Sequence, residues 1–560
     1  MKNWPINLIL FLIFIFAGVI IGRLFFLQVL KADFYSALAQ GQNNNFLKIQ
    51  GDRGKIFLKD KNENLYPVGT NRDGKFCFLF LDEIKKKEEI ADSLSKILNL
   101  DKEDLLLEFE KDSGFFVLKE DLTSEEVKNL EESDIEEIKI SDQKIREYPY
   151  GELASDVIGF INEDGDGQYG IEEYYNEELR GQERILESKK SHGGYLSFFN
   201  ENEIKGSDLV LTLDYNIQFQ AEKLLKKAEE NYNIRGGQII VADPYSGKIL
   251  AMADFPSFNP NSYSSYDLGI FKNNAIQELF EPGSIFKAIT MSSSLNEDKI
   301  TPQTTYDDPG MLLIGGWPIY NYEQRNYGNN ITMTEVLEKS INTGAVFAEE
   351  RLGHDDFSRY LESFGIFKKT NIDLAGESYS SNEEFKKGYD VNFVTASFGQ
   401  GIEMTPIQIV RAFSAIANGG KEINPYIVEK TVKNGQVTEL EPVSEERKII
   451  FPMTSSKVTA MLVSVVENGF SKGAQVSGYY IAGKTGTSQI SYASLGEDRK
   501  GYSDETWQTF IGYAPAFNPR FLVLVKLDNP AAKTASYSAI PIFQELAGYI
   551  IDYLEIPPDY

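Results

Sequence analysis

The chain has one cysteine and two histidines in 560 residues. A lone Cys77 excludes an intrachain disulfide, and with only His192 and His354 beside it the usual ligands of a structural zinc are missing. No metal and no cofactor is expected. Cys77 falls in the apolar run from Phe76 to Phe80 and reads as core filler. Positive charge is also scarce: 56 Lys and Arg face 84 Asp and Glu, a formal net charge of -28. That sign repels phosphate backbones, and no basic stripe with interleaved aromatics overrules it, so nucleic acid is excluded as a partner. Long hydrophobic runs are few. One could cross a bilayer, from Ile6 to Ile21 and on from Leu24 to Leu30 if Arg23 snorkels. It ends in Val19-Ile-Ile-Gly-Arg23 rather than in small residues spaced for cleavage, so the expectation is an uncleaved anchor within residues 1–30, not a signal peptide. Lys2 marks the short side as cytoplasmic, while Arg23 and Lys31 oppose that orientation.

What the chain does have, at 42% hydrophobic content, is core material for two or three domains. Polar residues 40–45 lead to Gly51-Asp-Arg-Gly-Lys-Ile-Phe57, a turn feeding a strand. Residues 71–141 are rich in Lys and Glu, with a helical pattern at Ile90, Leu94, Ile97 and Leu98. A capping box joins Thr123 to Glu126, and strands are expected at Phe115 to Leu118 and Ile135 to Ile140. This is a small charged α/β insert, a spacer or protein contact. Asp164-Gly-Asp-Gly167 lacks the bidentate Glu of a calcium loop and reads as a turn. Thr212 to Asp214 closes a strand, and an amphipathic helix runs from Ile217 to Ala228. A hairpin follows, Gly237 to Val241, Asp243 to Gly247 and Lys248 to Ala253, with structural roles for Asp243 and Asp254. Gly315-Gly-Trp-Pro318 either borders a cleft or makes a hairpin turn.

The chemistry concentrates in Glu281-Pro-Gly-Ser-Ile-Phe-Lys287. Pro282 and Gly283 break the preceding segment, and Ser284 opens a helix with Lys287 on the same face at i+3. A serine hydroxyl is a poor nucleophile at neutral pH. A lysine desolvated by Ile285, Phe286 and Ile289 would have its pKa lowered and could take the serine proton. Ser-x-x-Lys alone recurs by chance. Here it is followed in order by Ser340-Ile341-Asn342 and Lys484-Thr485-Gly486, the three-part set of serine acyl enzymes that act on penicillin or cell-wall peptides. One rival shares the lysine: Gly478-Tyr-Tyr-Ile-Ala-Gly-Lys-Thr485 fits a P-loop, with residues 521–528 as a strand ending in a magnesium-binding Asp528. The turn-rich approach and the strand-like exit from Thr487 to Tyr492 argue against it.

With Arg53-Gly54, the segment from Arg146 to Gly181, Ala242-Asp-Pro244, Pro256-Ser-Phe-Asn259, Phe398-Gly-Gln-Gly-Ile402 and Ala417-Asn-Gly-Gly420, these motifs resemble a class B penicillin-binding protein over nearly the whole chain. The resemblance implies an α+β protein: a transmembrane helix in residues 1–30, an extended noncatalytic pedestal in 31–205 carrying the charged insert, and a penicillin-binding transpeptidase domain in 206–560 with an antiparallel sheet flanked by helices. It implies a D,D-transpeptidase in which Ser284 attacks the penultimate D-alanine carbonyl of a peptidoglycan stem peptide and Lys287 is the base. Ser340 would relay a proton to the leaving amine, and Asn342 would hold substrate backbone or Lys287. Lys484, Thr485 and Thr487 suit the substrate carboxylate, Gly486 admits the substrate backbone, and the N–H groups of Ser284 and Thr487 form an oxyanion hole. Implied partners are β-lactam antibiotics, the bacterial membrane, a SEDS-type membrane glycosyltransferase, and division or elongation proteins; residues 160–167 and 256–259 look more like the division type. The catalytic domain would be extracytoplasmic. A D,D-carboxypeptidase or β-lactamase, and a noncatalytic scaffold or sensor, are the alternatives.

Overall fold

In the computed structural model the described residues are 52–111, 115–133, 135–181, 205–440 and 447–560, with Phe16 and the paired strands Phe46–Ile49 and Arg184–Glu187. The anchor expected in residues 1–30 lies outside them save for Phe16, as does the polar stretch 40–45. No helix among the described residues is long and apolar enough to cross a membrane.

Two compact units emerge. The smaller holds the charged insert, Asn71–Ile145. Its helix Lys87–Leu98 buries Ile90, Ala91, Leu94 and Leu98, the spacing read from sequence. Cys77 is fully buried in that core, and burial pushes its thiol up to about 11. The capping box of Thr123 and Glu126 starts the helix Ser124–Glu131. A second helix, Lys102–Phe109, escaped the sequence pattern although Asp101 caps it, accepting from Glu103 N at 2.8 Å and Asp104 N at 3.1 Å. The strand expected from Ile135 starts later, at Lys139, because Ile135 and Ile138 pack against the core from a turn closed by Ile138 N donating to Ile135 O.

The larger unit gathers three pieces of sequence, Arg53–Thr70, Arg146–Arg180 and Gly206–Tyr560. Ile56–Lys59 pairs antiparallel with residues 65–69 and parallel with Asp208–Asp214, which pairs with Val428–Lys433. Lys61 Nζ donates to Tyr553 O at 2.7 Å. The first two pieces are joined by a buried ion network. Glu172, with no exposed surface, accepts from Arg53 Nε at 2.6 Å, Arg146 Nε at 2.8 Å and Tyr148 OH at 3.1 Å. Burial alone would push its carboxyl up; the Arg146 and Arg53 guanidiniums prevail and hold it below the usual carboxylate range.

The centre of this unit is a five-stranded sheet of β1 (Gly236–Ala242), β2 (Ile249–Phe255), β3 (Ala482–Ser491), β4 (Tyr502–Ala514) and β5 (Phe521–Asp528). Its spatial order is β2-β1-β5-β4-β3, every pairing antiparallel, with β3 at an edge. The flanking helices are α1 (Tyr215–Tyr232), α2 (Lys287–Asn296), α3 (Asn342–Leu352), α4 (Pro406–Ala417), α5 (Pro452–Glu467) and α6 (Ala539–Tyr553). Side-chain alternation along β5 sends Val523, Val525 and Leu527 into one core with Leu224 of α1 and Phe543 and Leu546 of α6. Leu522 and Leu524 enter the opposite core with Phe286, Ile289 of α2 and Phe413 of α4. Covered on both faces, β5 therefore reads as a continuous apolar run from Phe521 to Val525, and the charge that follows, Lys526, is buried against Asp528 and Glu278. The β1–β2 hairpin forms as the sequence suggested, its turn held by Asp243 Oδ1 accepting from Tyr245 N at 2.8 Å. Asp254 lies inside β2, accepting from Gln238 Nε2 at 2.9 Å and Asn274 N at 2.5 Å.

Candidate active site

The Pro282-Gly283 break takes a specific form. Pro282 is right-handed, Gly283 turns to φ +58°, and the tight turn Gly283–Phe286 runs straight into α2. This corner is wedged between two other segments. On one side Gly283 N donates to Gly399 O at 3.0 Å, and a Cβ on Gly399, itself at φ +80°, would sit 2.2 Å from the Gly283 carbonyl oxygen. On the other side Ser488 Oγ of β3 donates to Glu281 O at 2.7 Å, and a Cβ on Gly486 would meet Thr509 Oγ1 at 2.3 Å and Pro282 O at 2.8 Å. Gly486 thus lets the edge strand close onto the turn. Ser284 is left half-buried, while Ile285, Phe286 and Lys287 are fully covered.

Ser340 and Asn342 lie between two helices. Met333–Glu338, started by the capping box of Thr332 and Glu335, stops; Ile341 is buried and its N–H donates to Val336 O at 2.9 Å; α3 then begins at Asn342. The turn forces Ser340 to φ +53°, a left-handed conformation rare for a non-glycine residue. Lys287 Nζ donates to Asn342 Oδ1 at 2.8 Å, Ser340 O at 2.6 Å and Ser340 Oγ at 3.2 Å. From β3, Lys484 Nζ reaches the same Ser340 Oγ at 3.0 Å and its neighbour Thr485 O at 3.0 Å.

All of these acceptors are neutral, so nothing offsets desolvation. Burial, helped by the Lys484 charge, holds the Lys287 amine well below its ordinary value, and burial brings Lys484 down to about 7. A neutral lysine amine at neutral pH is a competent proton acceptor. Thr485 and Thr487 are half-buried on β3, and Thr487 Oγ1 accepts from Ala535 N at 3.4 Å. All eight residues singled out from sequence therefore converge on one corner, where the turn at Ser284, the loop at Ser340 and the edge strand meet.

The P-loop pattern is an accident of spacing, since Lys484 and Thr485 lie inside a strand and no helix follows them. Gly315 and Gly316 form the turn of the hairpin Met311–Ile314 and Trp317–Tyr320, and Asn342 Nδ2 ties it to the site by donating to Tyr320 O at 2.8 Å. Asp166 of the Gly- and Asp-rich loop accepts from Arg180 NH1 at 2.9 Å. Sequence reading missed one pair, the hydroxyl of Tyr502 on both carboxylate oxygens of Glu281 at 2.9 and 3.0 Å; nothing in the pattern around Tyr502 announces it.

Comparisons with known proteins bear on this geometry. The model of the penicillin binding protein transpeptidase domain matches residues 237–548, and that of the penicillin-binding protein dimerisation domain matches residues 48–211. A peptidoglycan D,D-transpeptidase FtsI homolog of Mesostigma viride is 30% identical over 587 residues, covering 99% of this chain and 96% of the relative. Stage V sporulation protein D of Bacillus subtilis is 29% identical over 530 residues, covering 91% of this chain and 79% of its own. Among solved structures, penicillin-binding protein 3 of Mycobacterium tuberculosis complexed with aztreonam superposes with a TM-score of 0.69 at 26% identity, over 92% of this chain and 98% of that one.

Proposed function

Because the chain belongs to the class B penicillin-binding proteins and is a serine-type peptidoglycan D,D-transpeptidase, we propose that Ser284 is its acylated nucleophile and Lys287 the base that activates it. One observation carries the assignment: two buried lysines converge on the Ser340 hydroxyl at 3.2 and 3.0 Å, beside the half-buried turn of Ser284.

Ser284 Oγ attacks the penultimate D-alanine carbonyl, and its proton passes to the neutral Lys287 amine. The N–H groups of Ser284 and Thr487 receive the oxyanion. The proton then reaches the departing D-alanine amine through Ser340, the C–N bond breaks, and the acyl group stays on Ser284. An acceptor amine from a second stem peptide restores the serine and completes the cross-link. Asn342 keeps Lys287 aimed, and Lys484, Thr485 and Thr487 bind the substrate carboxylate, with Gly486 holding β3 close to the turn. β-Lactams enter by the same attack and remain as the acyl group.

We further read residues 31–205 as the pedestal and residues 206–560 as the penicillin-binding domain. An anchor in residues 1–30 would hold the catalytic domain outside the membrane. A SEDS-type glycosyltransferase would supply glycan, with division or elongation proteins as the setting; residues 160–167 and 256–259 favour division. The relatives whose names call them peptidoglycan D,D-transpeptidases support transfer over hydrolysis or a silent scaffold. Mass spectrometry after exposure to labelled penicillin tests the centre of the reading: the adduct is expected on Ser284 and absent from a folded Ser284→Ala protein. An adduct on any other residue overturns it.

A further inference from the structure

Glu281 stands three residues before Ser284 and has no part in the steps above. Its side chain is only 8% exposed, and the Tyr502 hydroxyl of β4 donates to both of its oxygens at 2.9 and 3.0 Å. The Gly401 backbone N–H lies beside the same carboxylate and lowers it. The residue's own carbonyl accepts from Ser488 Oγ of β3 at 2.7 Å. Three segments that bound the nucleophile turn, the start of β4, the loop 399–401 and the edge strand, thus meet on one amino acid. Across the β3–β4 hairpin Tyr502 is paired with Ser491, so its anchoring also fixes the far end of the strand that carries Thr485 and Thr487.

An ionised carboxylate accepts from Tyr502 as it stands, whereas a protonated acid or an amide presents a donor that the Tyr502 hydroxyl can meet only by turning round to accept, so the charged and neutral forms hold the start of β4 differently. Burial opposes ionisation, and with Glu403 on the adjoining loop adding like charge, the carboxyl is pushed up to about 7. The titratable groups that face it are Tyr502 from β4 and Glu403 from that loop.

We propose that Glu281 is a positioning residue for acylation: its carboxylate ties the start of β4 and the loop 399–401 to the nucleophile turn, and so sets the gap between the Ser284 and Thr487 N–H groups where the oxyanion is received. The inference rests on the reading of Ser284 as nucleophile. It goes beyond it in making the oxyanion hole dependent on a group outside the three motifs.

The test is the rate of acylation by a chromogenic β-lactam from pH 5.5 to 9 for the parent, Glu281→Gln and Tyr502→Phe, with the adduct mapped in each. Glu281→Gln should acylate about tenfold slower at pH 8, the size expected for a lost hydrogen bond to a charged group. Its profile should lack one ionisation that the parent shows on the rising limb near neutrality. Tyr502→Phe should slow the reaction similarly, and the double variant should be little slower than either single one. A Glu281→Gln profile of the parent's shape, whether at full rate or uniformly depressed, overturns the proposal, because a merely structural loss scales the curve without removing an ionisation. If Glu281→Gln does not fold, Tyr502→Phe decides: without the hydroxyl that lowers the Glu281 carboxyl, the limb should move to higher pH, and a limb at the parent's position overturns the proposal. Adducts away from Ser284 would sink the nucleophile assignment instead, so the two failures are distinguishable.

Discussion

Lys287 from α2 and Lys484 from β3 donate to one and the same oxygen, the Ser340 hydroxyl, at 3.2 and 3.0 Å. Two ammonium groups cannot both be held so close in a buried site without cost, and neither has an anionic partner among its hydrogen bonds. At neutral pH the pair therefore favours carrying at most one proton between them, which leaves one amine free to accept a proton.

That relation makes Lys287 the sensitive member. Lys287→Ala should slow acylation by 10² to 10⁴ fold, roughly the scale of general-base loss, without changing the fold. Stopped-flow acylation with a chromogenic cephalosporin measures it, and a near-parental rate would remove Lys287 from the role.

Lys484 should show its burial in stability. Its amine sits at about 7 when folded, against an ordinary 10.5 when exposed. Between those values the unfolded chain binds the proton first, so this residue's contribution rises as pH climbs from 7 toward 10.5 and is most unfavourable below 7. Lys484→Met should therefore be more stable than the parent at pH 7, by roughly 1 to 3 kcal/mol, with the gap narrowing by pH 9.5. Denaturant melts at both pH values check this; a Met variant that is less stable at pH 7 refutes it.

Ser340 is held at φ +53° and offers a backbone test independent of chemistry. Ser340→Gly removes the left-handed penalty of about 1 kcal/mol, while Ser340→Ala keeps it. Both lose the hydroxyl and should acylate slowly. In chemical denaturation the Gly variant should be at least as stable as the Ala variant, and the reverse order would mean that the turn is relaxed in solution.

Glu172→Gln should cost about 3 to 5 kcal/mol, because the two buried guanidiniums of Arg53 and Arg146 lose the carboxylate they share. The carboxyl is held below its ordinary range, so its contribution is present above the unfolded value and is lost as pH falls through the lower folded one. Acid melts of parent and variant should thus converge at low pH. Since the network touches none of the eight site residues, the folded variant should still acylate.

The site was legible in the sequence because its parts are short, ordered and chemically unusual. Ser284 and Lys287 are local, and a lysine among Ile285, Phe286 and Ile289 announces its own desolvation. Period-2 and period-3.6 patterns likewise found α1, the β1–β2 hairpin and the helix Lys87–Leu98. What stayed hidden is what long-range contact decides. The left-handed Ser340 depends on a turn anchored by buried Ile341. The bond from Tyr502 to Glu281 spans 221 positions, and a tyrosine at the head of a strand carries no sign of its partner. The strand after Ile135 was misplaced for the same kind of reason: alternation could not reveal that the first isoleucines pack from a turn.

The braid of the larger unit fixes an order of events during synthesis. Ile56–Lys59 leaves the ribosome early, yet its parallel neighbour Asp208–Asp214 follows some 150 residues later, and Lys61 waits for Tyr553, 492 positions on. Such distant pairings form late because loop closure must precede any gain from contact. An early strand with unmet N–H and C=O groups is a sticky edge until then. The insert Asn71–Ile145 has its own core and can condense while the chain is still growing, shortening the effective distance between the pieces on either side of it. A protein stalled before its last helix should therefore display a folded insert and no penicillin-reactive serine.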